Sequence, residues 1–221
     1  MKKLFAVILI ISISLSSLLI AAELNAFNLN LYNKLFERYQ VDRVTDKDFV
    51  ELEAIANDLI LYLDGKASED IMEPNFNYKE ILHMEDVKVL FSWGKIIRNI
   101  SLVLTIILGS YFYSKKEKKY AKFILIGLFV NWIILIALAF MIYFDFSKYF
   151  TIFHHIFFSN DLWLLNPKTD LLIQMLPEAF FMTMASRIVV FFLVFLTLIQ
   201  LVLYMIIRRD KRKTNAEKTL N

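Results

Sequence analysis

The sequence predicts an all-α polytopic membrane protein: four transmembrane helices with a mostly helical extracytoplasmic cap. Three observations carry this expectation. Of the 221 residues, 58% are hydrophobic and 15% aromatic. Four unbroken apolar runs, at 4–22, 96–114, 123–144 and 188–207, are each long enough to cross about 30 Å of hydrocarbon as a helix. Basic residues cluster on one side of those runs. With only four glycines and three prolines, collagen-like and low-complexity chains are excluded. A membrane β-barrel would alternate apolar and polar residues, and a soluble globule would not carry such runs.

The chain divides into a first transmembrane helix at 1–22, an extracytoplasmic helical segment at 23–95 and a second transmembrane helix at 96–114. A basic cytoplasmic loop follows at 115–122, then a third transmembrane helix at 123–144 and an aromatic interfacial segment at 145–187. A fourth transmembrane helix at 188–207 leads to a basic cytoplasmic tail at 208–221. With both termini inside, residues 1–3, 115–122 and 208–221 hold thirteen Lys or Arg against three Asp or Glu. The rest holds twelve against nineteen. Short flanking loops with this bias set orientation by the positive-inside rule. Beside a spanning helix the basic tail reads as a topology anchor at anionic lipid, not a nucleic-acid site. Lys2, Lys3 and the run after them also describe a secretory signal. The length of the run and the lack of an A-x-A triplet before Glu23 favour a retained helix.

In the first outer segment Thr45 and Asp48 form a capping-box-like start. Phe49, Leu52, Ile55, Ala56, Leu59, Ile60 and Leu63 then recur at helical spacing, and Gly65 supplies the stop. Asn77 and Glu80 open another helix carrying Ile81, His83, Met84, Val87 and Leu90 toward the second span, with Gly94 as a site for a bend. Residues 145–187 hold nine aromatic side chains and no glycine, a liability in water but favourable at a membrane interface. Pro167 and Pro177 break helix there. Backbone freed at that depth must pack against protein.

With no cysteine, this chain has no disulfide, thiolate ligand or cysteine nucleophile. Four scattered glycines leave no G-x-S-x-G elbow, P-loop or dinucleotide fingerprint. No carboxylate sits mid-span, which speaks against a proton-coupled transporter. The three histidines, His83, His154 and His155, all fall outside the spans, where a neutral imidazole can accept and return a proton. Asp86 lies one turn beyond His83 and can fix its tautomer. A zinc site from His83, His154 and Asp161 or Asp170 is a weaker alternative. A lone interfacial histidine is more often a headgroup or capping contact, and an aromatic stripe more often packs lipid than lines a site.

The stretch Ile81-Leu82-His83-Met84-Glu85-Asp86-Val87-Lys88 resembles an H-M-x-D-V-K block. Phe153-His154-His155-Ile156-Phe157-Phe158, then Trp163, Pro167-x-x-Asp170 and Leu176-Pro177-Glu178 with Phe180-Phe181 form a second series. Together they are similar to a family of four-span bacterial membrane proteins that includes the lipoprotein intramolecular transacylases. The resemblance implies an acyltransferase of the bacterial cytoplasmic membrane. Its substrate is a diacylated lipoprotein, whose sn-2 acyl chain moves to the cysteine α-amino group to give a lyso-form lipoprotein. Neither cofactor nor metal is implied. It puts catalysis on His83 and His154, with Asp86, Asp170, Glu178 and His155 supporting and Phe153, Phe157, Phe158 and Trp163 lining a groove open to membrane lipid. The competing classes are a non-enzymatic accessory or lipid-binding protein and a hydrolase using the same histidines.

Overall fold

A computed structural model describes residues 1–115 and 118–219. Lys116 and Glu117 of the basic loop and Leu220 and Asn221 of the tail lie outside the described residues, as do the side chains from Asp210 onward. The elements are helical: α1 (Lys2–Ala26), α2 (Leu29–Tyr39), α3 (Asp42–Thr45), α4 (Phe49–Asp64), a 3-10 turn (Glu69–Ile71), α5 (Tyr78–Ser114), α6 (Lys118–Leu128), α7 (Val130–Phe144), α8 (Phe146–Phe157), α9 (Leu171–Met175) and α10 (Glu178–Thr219). Four stretches, in α1, α5, α6–α7 and α10, are long and apolar enough to cross a membrane. The chain is an all-α, four-span membrane protein.

The chain separates into two compact units, one of Met1–Ala21, Ile96–Phe140 and Val189–Asn221, the other of Ala22–Lys95 and Met141–Ile188. The first holds the spanning stretches. Where water provides no drive between helices, close approach and side-chain hydrogen bonds hold them together. Gly127 supplies the close approach, since a Cβ there would fall inside the Ile10 side chain. Asn131 Nδ2 donates to Ser14 Oγ at 2.9 Å, and Trp132 Nε1 donates to Gln200 Oε1 at 3.3 Å. Asn131 also donates to the Leu128 carbonyl at 3.1 Å. That acceptor sits beside the turn at Phe129 dividing the third span, expected as one helix, into α6 and α7. Outward-facing Ile106, Ile133, Ile136 and Leu198 are exposed, as lipid-facing residues should be.

The second unit has a continuous apolar core. Leu52, Ile55, Ala56, Leu59, Ile60 and Leu63 of α4 pack with Leu31, Leu35 and Phe36 of α2, Ile81 and Met84 of α5, and Leu172, Met175 and Phe180. The α4 cap falls later than Thr45 and Asp48 suggest. Asp48 accepts from Val50 and Glu51, and Glu51 reaches back to the Asp48 N–H, so Asp48 is the N-cap. Thr45 instead bonds the Val41 carbonyl within α3. Gly65 ends α4 at φ 79°, a left-handed conformation that glycine adopts without Cβ strain. Asn77 Oδ1 accepts from Lys79 and Glu80, and Glu80 Oε2 accepts from the Asn77 N–H at 2.7 Å. This box starts α5, which continues through Gly94 without interruption. Helix α2 was not expected, although Asn28 caps it and Leu31, Tyr32, Leu35 and Phe36 form its buried stripe.

Candidate active site

The cap of α5 fixes the rotational phase of its first turns. Lys79, His83 and Asp86 then share one face, because positions four and three apart stack along a helix. Helix α8 starts where Asp145 accepts from the Lys148 N–H at 3.1 Å, and it carries His154 in its last turn. These two elements bring together residues far apart in sequence. The His83 and His154 ring centroids lie 6.1 Å apart with planes tilted by 34°. Each side chain is 7% exposed.

Aromatic rings complete the enclosure. Buried Phe158 touches both imidazoles, at 5.3 Å from His83 and 5.6 Å from His154. Trp163 stacks on His154 at 4.8 Å, and Phe150 meets the same imidazole edge-on at 4.4 Å. His154 Nδ1 lies 2.7 Å from the Phe150 carbonyl. A carbonyl only accepts, so Nδ1 carries the hydrogen and the neutral ring keeps its lone pair on Nε2. Among the described residues, His83 Nδ1 and Trp163 Nε1 are buried with no hydrogen-bond partner.

Burial disfavours charge on both rings, which lie outside the apolar spanning stretches. The His83 pKa is pushed down to about 4, first by burial and then by His154, while Asp86 opposes the shift and Lys79 adds to it. His154 is lowered too, chiefly by burial; the Phe150 carbonyl opposes this and His155 adds to it. Both imidazoles are therefore neutral near neutral pH, each able to accept a proton at one nitrogen and donate from the other.

The model of the family described as lipoprotein intramolecular transacylase Lit matches residues 7–181. The chain belongs to the lipoprotein intramolecular transacylase Lit family. It is accordingly an enzyme of that class and a multi-pass membrane protein, with a lipoprotein as its substrate partner. It is similar to the in meso structure of the membrane integral lipoprotein intramolecular transacylase Lit from Bacillus cereus. That match has 28% identity and a TM-score of 0.86, covering 96% of this chain and 98% of the other. Two structures of the Bacillus cereus protein with a histidine replaced, one by arginine and one by alanine, match with TM-scores of 0.81 and 0.78 and identities of 27% and 26%. They cover 97% and 98% of this chain and 95% and 96% of theirs. No curated protein sequence matches.

In this Lit-family chain the other residues singled out from sequence are placed unequally. Asp86 accepts from Asn160 Nδ2 at 2.9 Å and not from the His83 ring, so it acts on that imidazole through its charge alone. Asp170 faces Asn77, the Asn166 N–H and Thr169, where it ties a loop to the start of α5. Those bonds, led by the Asn166 N–H, hold its carboxyl below the usual range. Glu178 is exposed in the first turn of α10, where a carboxylate favours the helix dipole. His155 is exposed and meets Trp163 edge-on at 5.1 Å. Phe153 and Phe157 meet at 4.7 Å with ring planes tilted by 44° on the open side of α8, beside Ile156, which is 70% exposed. Among the described residues no three His, Asp or Glu side chains gather as metal ligands would, and Asp170 is committed elsewhere.

Glu80 is the residue that spacing undervalued. Only 1% exposed, it accepts from the Leu172 N–H at 2.6 Å as well as from Asn77, capping α9 from another helix. Burial raises its carboxyl pKa, and the two backbone donors pull the other way. The N-x-x-E pattern at Asn77 discloses the local cap, but nothing near Glu80 in sequence announces the distant one.

Proposed function

We propose that the chain moves the acyl group on the sn-2 oxygen of an S-diacylglyceryl cysteine to that cysteine's α-amino nitrogen, with His83 and His154 carrying the protons. The supporting observation is the buried pair of imidazoles 6.1 Å apart. An α-amine has a pKa of about 7.7–8.0, so a useful fraction is neutral at pH 7. Its lone pair adds to the ester carbonyl carbon, and the carbonyl π pair moves onto oxygen. The nitrogen, now cationic and far more acidic, passes its proton to His154 Nε2. A base of lowered pKa suffices there, because the bond just formed has acidified the N–H.

Collapse restores the carbonyl and breaks its bond to the sn-2 oxygen. His83, neutral, gives an N–H proton to that oxygen and takes one at its other nitrogen from protonated His154. One proton has moved from nitrogen to oxygen; His154 is restored, and His83 is again neutral with its hydrogen on the other ring nitrogen, so a tautomer exchange readies it for the next turnover. Holding amine and ester in one molecule makes the attack unimolecular, an advantage that reaches about 10⁵ M or more in effective concentration. No enzyme nucleophile is needed. Phe153 and Phe157 are the surface for the acyl chains. Asp86, by its charge, and Asp170, through the loop it ties, position the site from outside, and Glu178 steadies the start of α10.

The site faces away from the cytoplasm in this reading, with both termini inside, following the thirteen-to-three excess of basic over acidic residues at residues 1–3, 115–122 and 208–221. The test replaces His83 or His154 by Ala and follows a lipoprotein's N-terminal peptide by mass spectrometry. Loss of the N-acyl lyso-form in either variant is expected. Unchanged conversion in both removes the mechanism, and release of free fatty acid by the parent chain replaces transfer with hydrolysis.

A further inference from the structure

Residues 160–164 form a strap laid along the face of α5 that carries His83. Asn160 Nδ2 donates to Asp86 Oδ2 at 2.9 Å, and Lys79 Nζ donates to the Leu164 carbonyl at 2.5 Å. Within the strap, the Leu162 N–H donates to Asn160 Oδ1 at 3.1 Å. Lys79 and Asp86 bracket His83 on their common face, so the strap is pinned on both sides of the imidazole. Its one large ring, Trp163, lies between the pins, against His154.

A tryptophan that merely anchors a protein at a membrane surface keeps its indole N–H in the wet headgroup layer. Here the N–H is buried and donates to none of the described residues. Such orphans are rare in native folds, since burying an unpaired donor is unfavourable, and each calls for a reason. A second buried, unpaired nitrogen in this cluster is His83 Nδ1. Three unused hydrogen-bonding functions therefore belong to one cluster of neighbouring rings: the His154 Nε2 lone pair, a His83 nitrogen and the Trp163 N–H. Acyl transfer from ester to amine requires a base for the amine, a proton for the departing oxygen and a donor for the oxyanion. The two histidines fill the first two roles.

We infer that the Trp163 indole N–H is a catalytic donor to the acyl carbonyl oxygen as it becomes the oxyanion of the tetrahedral adduct. The inference rests on the transacylase reading above. In the step it serves, the amine nitrogen bonds the carbonyl carbon and the displaced π pair settles on the oxygen facing the indole. A fixed donor in a dry site strengthens as charge develops and has no water to reorganise. Stacking on His154 holds the indole, and the two pins hold the strap that carries it.

The experiment uses the full chain in detergent with a synthetic S-diacylglyceryl-cysteine peptide. Trp163→Phe keeps an aromatic ring against His154 and removes the N–H. The expected result is a kcat lower by roughly 100-fold, the usual size for one oxyanion donor, with KM within about threefold. ¹⁵N-histidine NMR should show His154 titrating as in the parent protein. A kcat within about threefold of the parent overturns the inference, and so does a fall in kcat accompanied by an altered His154 titration, which would mean that the indole only desolvates the histidine. A measurement on the parent chain covers a variant that fails to fold: binding of a phosphonate analogue of the ester should move the Trp163 indole ¹H–¹⁵N resonance downfield. An unmoved resonance overturns the donor role. A parent chain that makes no N-acylated product overturns the transacylase reading itself, and the inference with it.

Discussion

Acidification should destabilise this protein through His83 in a window set by its burial. An imidazole in an unfolded chain titrates near 6.5, whereas His83 in the folded chain titrates near 4. The lowered value means that the unfolded state binds the proton more readily. Stability is therefore unaffected above about pH 7, falls as pH drops through 6.5, and stops falling below about 4. At 1.36 kcal/mol per pH unit, the 2.5-unit gap corresponds to about 3 kcal/mol of lost stability when complete. Protonated His154 and Lys79 act in the same direction on the folded imidazole, and Asp86 opposes them. His83→Phe removes the titrating group and retains a ring against Phe158. Unfolding of the detergent-solubilised chain, followed by tryptophan fluorescence at pH 7.5 and 4.5, should show a loss larger by about 2–3 kcal/mol in the parent than in the variant. Equal losses in the two proteins would refute the claim that His83 is buried as a neutral base.

Three further outcomes are expected. Glu80→Ala leaves the Leu172 and Asn77 N–H groups without their acceptor, and should cost about 2–4 kcal/mol in unfolding and open residues 166–176 to proteolysis. Glu80→Gln, which keeps one acceptor, should lose less. Gly127→Leu forces a side chain into Ile10 and should destabilise the spanning unit by about 1–3 kcal/mol in thermal unfolding; Ile10→Ala in the same chain should recover part of the loss. His155→Ala, which removes an exposed ring flanking the site, should convert substrate within about threefold of the parent rate, whereas His154→Ala falls to background in the same mass-spectrometric assay.

The four spans are legible because hydrocarbon imposes a one-dimensional rule: an apolar run of sufficient length is a helix, whatever its neighbours do. Gly65 and the Asn77–Glu80 box are legible for a similar reason, since a cap satisfies backbone groups within four residues of itself, whereas the α4 box expected at Thr45 and Asp48 forms at Asp48 and Glu51. Helix α2 was missed because Leu31, Tyr32, Leu35 and Phe36 occupy less than two turns, a pattern that needs the α4 face to explain it. The turn at Phe129 escaped because hydropathy does not register where the Asn131 amide bonds. In the site, the two histidines were named, but their tautomers were not. That of His154 depends on the Phe150 carbonyl, placed by α8. Asp170 and Glu80 show the same limit: their sequence neighbours do not disclose distant partners, and only the folded chain makes them ties between α5 and the α9 loop.

Those ties bear on how the chemistry is divided. Two imidazoles of lowered pKa are weak bases, and weak bases do not strip protons from free ammonium groups efficiently. The arrangement therefore works only if the nitrogen is acidified first, by bonding to the ester carbon, and that bond forms only if amine and ester are held in line. Positioning thus precedes proton transfer, and the fold is built accordingly. The strap is tied to α5 by Lys79 and Asp86, and the next loop is tied by Asn77 and Glu80, all within the first three turns of one helix. A rigid helix start that carries His83 thus fixes the surfaces around it. Loosening those ties by Glu80→Ala should lower kcat while both imidazoles remain chemically intact. A histidine titration unchanged by NMR alongside that lower kcat would assign the loss to geometry and not to basicity.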